Sequence, residues 1–292
     1  MRLTILLLTA PLVQGACLTP RQSAATQIVS LSSLENLAIR SNGQILATNM
    51  NSAQLYSVDP VSKTYTAALT VSGASPGLSG IGEVTPDVFA VIGGTKQVYK
   101  VDFTVNPPTS SLIATIQEAN NLNGLAVFDN SSVLLADAGR GVVYKLNVAN
   151  ARYEQVLSDP TMTPTGGIPF GIDGIKYDAK TSTVWYTNIF RNSLHSLPVE
   201  PTTAKATGVV KTWWTNLMGD DLCLSGDTGK VYVTTNMGGN SLVELDPSVG
   251  EESRKTIGSV QGSTACAFGR REGDTGTVYV TGAQGLFAVQ VK

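Results

Sequence analysis

"NGLAVFDNSSVLLAD", residues 123–137, reads as two short apolar strands folded about a polar turn at Asn130. The same pattern recurs five more times. It opens as "ENLAIRSNGQILATN" at residue 35 and "SGIGEVTPDVFAVIG" at residue 79, and after the quoted copy as "DGIKYDAKTSTVWYTN" at residue 173, "DDLCLSGDTGKVYVTT" at residue 220 and "STACAFGRREGDTGTVYVT" at residue 263. A period of roughly 43 to 50 residues is that of a repeat architecture in which each unit covers its neighbour. A third strand follows in every copy: "QLYSVD", "QVYKVD", "VVYKLN", "SLHSLP", "SLVELD" and "GLFAVQ". The spacing leaves room for a fourth in each unit but the last, which reaches the C-terminus after its third. An all-β, six-bladed β-propeller is expected, four strands to a blade, with "ATQIVSL" (residues 25–31) supplying the strand that completes the last blade and ties the ends together.

Composition agrees. Apolar residues make up 42% of the chain and charged residues 14%, enough for a sizeable core, and 29 glycines suit a fold with many tight turns. A net charge of −2 without a Lys/Arg cluster offers no surface for a run of phosphates, so neither nucleic acid nor an acidic membrane is an expected partner. The expected partner is a small molecule, and the expected state a monomer.

"MRLTILLLTAPLVQGAC" carries Arg2, an apolar run interrupted by Pro11, and small residues Gly15 and Ala16, the layout of a secretory signal peptide. Residues 1–16 are read as that signal and residues 17–292 as one propeller domain, secreted and free of the membrane after cleavage. In an oxidising compartment "NSS" at Asn130 becomes a glycosylation acceptor in the turn facing away from the functional mouth. Cys223 and Cys266 hold the same place in adjacent units and are candidates for a disulfide, which leaves Cys17 without an assigned partner.

In a propeller the first strand of every blade lines the central channel, and the residue that opens the strand stands at the channel mouth. That column reads Glu35, Ser79, Asn123, Asp173, Asp220 and Ser263. Carboxylates that converge there either hold a hard divalent cation such as calcium or repel each other until one takes up a proton and becomes a hydrogen-bond donor.

The repeat resembles the gluconolactonase-like six-bladed propellers, whose blades open on an acidic or amide residue followed by Gly-Leu-Ala or similar. The resemblance implies Glu35, Asp173 and Asp220 as ligands of a divalent metal, Asp220 as the base that activates water on a lactone, and Asn123 as a substrate contact. Asp173 stands where that pattern has Asn, and "SLENLAI" replaces its Gly-Glu-Gly-Pro segment. The chain is also similar in size, leader and low charge to the fungal hetero-Diels–Alderases of tropolone sesquiterpenoid biosynthesis. That likeness implies a cycloaddition between a quinone methide and a macrocyclic terpene such as humulenol, with no cofactor required. A non-catalytic binding propeller is the third reading, because fold alone does not choose among them.

Loops between second and third strands should return to the mouth. They bring Asn49, Met50, Lys96, Asp137, Arg140, Phe190, Arg191, Asn236 and Met237. Met50, Phe190 and Met237 would form an adaptable apolar wall and Asn49 and Asn236 polar substrate contacts, while Arg140, Arg191 or Lys96 would polarise a carbonyl beside Asp173 and Asp220. His195, the only histidine, falls within a third strand and is expected to be structural. Trp213 and Trp214 are expected on an outer strand, one packed between blades and one partly exposed.

Overall fold

The computed structural model describes residues 24–291; the expected signal segment, residues 1–16, and Cys17 lie outside them. The chain forms six antiparallel four-stranded sheets. Blade 1 comprises Leu34–Ile39, Ile45–Asn49, Gln54–Asp59 and Thr64–Thr70. The first strands of blades 2 to 6 are Leu78–Thr85, Leu122–Asp129, Ile172–Asp178, Leu222–Leu224 and Cys266–Phe268. These six contact one another in order, and blade 6 returns to blade 1. Thr26–Ser30 pairs with Gly285–Gln290 and completes blade 6, as the truncated last repeat requires. Ring closure thus costs no exposed sheet edge at the seam.

Burial follows position within the blade. The second strands Ile45–Asn49 and Ser132–Asp137 are buried at every residue, flanked by strands of their own blade and covered by the blades on either side. Their side chains interdigitate between blades, as where Phe128 and Leu134 of blade 3 pack with Ile172 and Tyr186 of blade 4. The fourth strand Thr64–Thr70 faces solvent and carries threonine and tyrosine accordingly.

A repeated irregularity shapes the mouth. Leu34 lies opposite Asn49 but Leu37 lies opposite Ala47, so blade 1 carries an extra residue in its first strand, and the same slip occurs at Leu78/Ile81, Leu122/Leu125 and Ile172/Ile175. Such a bulge bends the strand and re-aims its side chains, and it frees a backbone N–H from the ladder. In blades 1 and 4 a second-strand threonine hydroxyl accepts this N–H, Asn36 to Thr48 at 2.9 Å and Gly174 to Thr187 at 3.0 Å, and in blades 5 and 6 Thr234 and Thr281 accept from Asp221 at 3.1 Å and Ala265 at 3.0 Å. Three of the hydroxyls lie within donating reach of the next blade's backbone, Thr187 of Asp220 O, Thr234 of Thr264 O and Thr281 of Glu35 O. The threonines thus satisfy backbone N–H groups at the strand openings, and Thr187, Thr234 and Thr281 also stitch neighbouring inner strands together.

Cys223 and Cys266 form a disulfide between the first strands of blades 5 and 6, with Cα atoms 5.6 Å apart. It closes a loop across 43 residues of sequence separation. Reduction should therefore lower stability by about 2–4 kcal/mol, equivalent to a melting temperature lower by about 5–10 °C. Thermal unfolding followed by circular dichroism with and without reductant checks this, and an unchanged transition would contradict it.

Two peripheral expectations resolve differently. His195 is buried, bonded to Ser193 Oγ at 2.8 Å and Thr212 Oγ1 at 3.0 Å, and burial pushes its pKa down to about 4, so it is a neutral structural residue as expected. One of the two tryptophans was expected to be partly exposed, but both rings are buried, Trp213 at 7% exposure and Trp214 at 2%. Trp213 stacks on Trp185, and the Trp214 indole N–H donates to Leu217 O with the Arg254 guanidinium 5.5 Å from its ring. The arginine from blade 5 covers the face that an outer strand would otherwise present to water.

Candidate active site at the channel mouth

The bulges bring the strand openings together around a cavity of about 360 Å³, within the range of small-molecule sites. Glu35, Ser79, Asn123, Asp173 and Asp220 line it. Its sides are apolar. Met50, Pro76 and Leu78 come from blades 1 and 2, while Phe170, Ile189 and Phe190 come from blade 4 and the segment that enters it. In a six-bladed ring blade 4 stands opposite blade 1, so the two apolar walls face each other across the polar ring.

The carboxyls are held by amides. Asn123 Nδ2 donates to Asp173 Oδ1, and Asn236 Nδ2 donates to Asp220 Oδ2. Burial and the neighbouring Asp220 and Glu35 raise the Asp173 pKa well above the usual carboxylate range, against the Asn123 hydrogen bond. Burial and Glu35 do the same for Asp220. Glu35 is pushed up to about 7 by burial and by the charge of Asp221. At neutral pH the ring therefore retains protons, and a neutral carboxyl can donate to a substrate oxygen where a carboxylate can only accept. The Ser79 hydroxyl at the same cavity is buried and has no hydrogen-bond partner among the described residues, which leaves it available to a bound molecule.

Beneath the ring lies an ion pair that the strand-opening column does not reveal. Asp221 is buried one residue deeper in the channel, and Lys176 Nζ reaches both its oxygens at 2.7 Å. Asn36 Nδ2, from blade 1, donates to Asp221 Oδ2 at 2.9 Å, so three blades meet at one carboxylate. Gly174 makes room for it, since a Cβ there would collide with Asp221. Sequence carried a signal: the corresponding positions are Asn36, Gly80, Gly124, Gly174 and Thr264, among which an aspartate is the one charged residue.

These proton-holding groups set a pH dependence. A carboxyl whose pKa is higher in the folded state contributes stability that is complete below its unfolded value and is lost as pH rises through the folded value. For Glu35 that window runs from 4.5 to about 7. The melting temperature should fall by roughly 2–5 °C between about pH 5 and about pH 8, and Glu35→Gln should flatten the decline. A melting temperature that is constant or rises over that interval would contradict the assignment.

Other expected site residues stand elsewhere. Arg140 Nη1 donates to Glu118 O at 3.2 Å and Tyr144 OH at 2.8 Å, and Arg191 donates from Nε to Thr163 O at 3.1 Å and from Nη2 to Thr163 Oγ1 at 2.9 Å. Lys96 Nζ is bonded to Gln117 O. Long cationic side chains have folded back onto local backbone carbonyls, and none of the three lines the cavity. Asn49 donates to Ser32 O and caps its own turn, Asp137 gathers the N–H groups of Asn120, Asn121, Gly139 and Arg140, and Met237 is 81% exposed outside the cavity. Ser263 is buried and occupied by Thr235 N and Ser241 O. Phe170, Pro76 and Ile189, by contrast, line the cavity without having been expected there.

The oxygen-rich donor set suits a hard cation in kind. Its arrangement does not match: among the described residues no group of three or more His, Cys, Asp or Glu side chains is placed to hold a metal ion, and Asp173 and Asp220 each receive an amide N–H. No step is therefore derived through a metal.

No family model matches the chain. A protein of Phoma sp named as a hetero-Diels–Alderase is 26% identical over 299 residues, covering 85% of this chain and 83% of the relative. A second, from Sarocladium schorii, is 25% identical over 252 residues, covering 70% and 62%. The chain is similar in sequence to these two proteins. Among solved structures, the calcium-binding protein regucalcin from Agrobacterium tumefaciens superposes with a TM-score of 0.69 at 14% identity, over 92% of this chain and 94% of that one. A protein assigned as a gluconolactonase superposes with a TM-score of 0.68 at 12% identity, over 93% of each. At such identities the likeness to regucalcin and gluconolactonase establishes the shared propeller. The Diels–Alderase relatives, matched in sequence over most of the chain, bear on chemistry.

Proposed function

We propose that this chain is a hetero-Diels–Alderase that joins a reactive quinone methide to a macrocyclic terpene alkene at the channel mouth. The sequence similarity to proteins named hetero-Diels–Alderases supports an enzyme of pericyclic type. The observation that carries the finer reading is the cavity itself, in which apolar walls flank a ring of buried carboxyls, two of them held by amide N–H groups and all three with pKa values raised by burial. A hetero-Diels–Alder reaction forms one carbon–carbon and one carbon–oxygen bond from the π electrons of the two reactants, with no atom gained or lost. It needs neither a nucleophile nor a redox cofactor.

The residues present supply what the reaction does need. Apolar walls desolvate two hydrocarbon-rich partners and hold their reacting ends together, which converts a bimolecular encounter into an intramolecular one. As the carbon–carbon bond runs ahead of the carbon–oxygen bond, negative charge collects on the quinone methide oxygen. Protonated Asp220 or Asp173 donates a hydrogen bond to that oxygen, and the amides of Asn236 and Asn123, each engaging one carboxyl oxygen, fix the orientation. The enzyme acts on small molecules as a secreted monomer, glycosylated at the exposed Asn130, without nucleic-acid or membrane partners.

The test is adduct formation from a quinone methide generated in situ and humulenol, with enzyme, without it, and with enzyme plus a chelator. Acceleration that survives the chelator supports the reading. Adduct formation no faster than in buffer, with calcium-dependent hydrolysis of a lactone instead, would replace it by metal-dependent lactonase chemistry.

A further inference from the structure

The segment between blades 3 and 4 is where the repeat lengthens, and it delivers Phe170 to the cavity. Its two ends are fixed. Asn188 Nδ2 donates to Thr161 O at 2.9 Å and Thr163 O at 3.1 Å, Arg191 grips Thr163 through its backbone and side-chain oxygens, and Gly171 N donates to Ala138 O at 2.7 Å. Between these anchors residues 164–170 bond only to themselves in the described backbone pairing, Ile168 N to Thr165 O and Phe170 N to Ile168 O. At the tip Gly166 and Gly167 have φ of 65° and 76°, and a Cβ on either would meet nothing within 4 Å. Ile168 beside them is 42% exposed, and Phe170 meets Phe190 edge to face at 6.0 Å.

We propose that residues 163–171 form a strap whose Phe170 completes, with Phe190, the wall that grips the apolar reactant, and that Arg191 is the positioning residue that holds the strap through Thr163. The inference deepens the proposed cycloaddition and rests on it for the identity of the reactant. Two anchored ends and a free tip let the aromatic wall yield to a bulky hydrocarbon while its root stays in register. An aromatic edge-to-face pair offers a large apolar area of low conformational entropy and adapts by a small shift of one ring. Arg191 has its guanidinium committed to Thr163, so its replacement acts on the wall and leaves the oxygen-donor ring in place.

The probe is cyclododecatriene, a macrocyclic hydrocarbon that carries no oxygen and undergoes no turnover. Its binding is measured by titration calorimetry, and mobility of the strap by the rate at which chymotrypsin cuts after Phe170. Phe170→Ala should weaken triene binding about tenfold, and Phe170→Leu should recover most of it. Arg191→Gln should speed the cut severalfold and weaken binding, Arg191→Lys should restore both in large part, and saturating triene should slow the cut in the wild-type protein. In turnover the same variants should raise KM for the terpene severalfold more than KM for the quinone methide. Triene bound as tightly by Phe170→Ala as by the wild type, or an Arg191→Gln protein cut no faster, would overturn the strap. Because the triene cannot react, Phe170-dependent binding without any cycloaddition would uphold the strap and reject the cycloaddition reading alone.

Discussion

Asp220→Ala should lower kcat for adduct formation by about 10²- to 10³-fold, the scale of removing one donor aimed at a developing oxyanion, whereas Asp220→Asn should stay within several-fold of the wild type. The difference lies in which atoms the site uses. A neutral carboxyl at position 220 accepts the Asn236 N–H on one oxygen and donates from the other, and a carboxamide of the same shape can do both. Alanine can do neither and leaves the Asn236 amide without its acceptor. A site that needed the charge of Asp220, whether to hold a cation or to take a proton from water, would lose as much with asparagine as with alanine. Steady-state kinetics of the three proteins therefore separates a hydrogen-bond donor from a ligand or base, and equal losses in both variants would refute the donor role.

Lys176→Met should destabilise the propeller by about 3–5 kcal/mol, the largest effect on stability expected from a single change at the channel. Asp221 has only 3% of its side chain exposed, and Lys176 is its cationic partner at 2.7 Å. With the lysine gone, the carboxylate keeps the N–H groups of Asn36 and Leu222 but no opposing charge in a buried place. Adding Asp221→Asn should recover a large part of the loss, because the amide has no charge to bury and its one oxygen still accepts the Leu222 N–H. Denaturant unfolding of the single and double variants measures the coupling, and additive effects in the double variant would show that the pair is not coupled.

The fold was legible because propellers repeat. Six copies of one strand pair at near-constant spacing, and a last copy short of one strand, determine both the blade number and the closure by Thr26–Ser30. The polar column was legible for the same reason: Glu35, Asn123, Asp173 and Asp220 occupy equivalent places and meet at one cavity. What escaped lies outside the repeat or one residue off it. Phe170 belongs to the stretch that lengthens the third spacing and stands three residues ahead of the strand-opening column, where the polar ring does not point. Asp221 lies one residue past the strand-opening column and just ahead of the regular ladder that begins at Leu222, where alternation of faces along the strand gives no guide. Arg140 and Arg191 were placed in the right loops, but loop position leaves the direction of a long side chain open, and nearby carbonyls captured both.

Chiral chromatography of the cycloadduct tests the central claim most directly. In free solution the quinone methide adds to either face of an achiral macrocyclic alkene such as humulene and gives both mirror-image products equally. A pocket that grips two partners between Met50 with Pro76 and Phe170 with Phe190, and anchors one oxygen on the carboxyl ring, exposes a single face of each. The account predicts one enantiomer in large excess with the wild-type enzyme and an eroded excess with Asp220→Ala. A racemic adduct in the presence of folded protein would show that the bonds form outside this site.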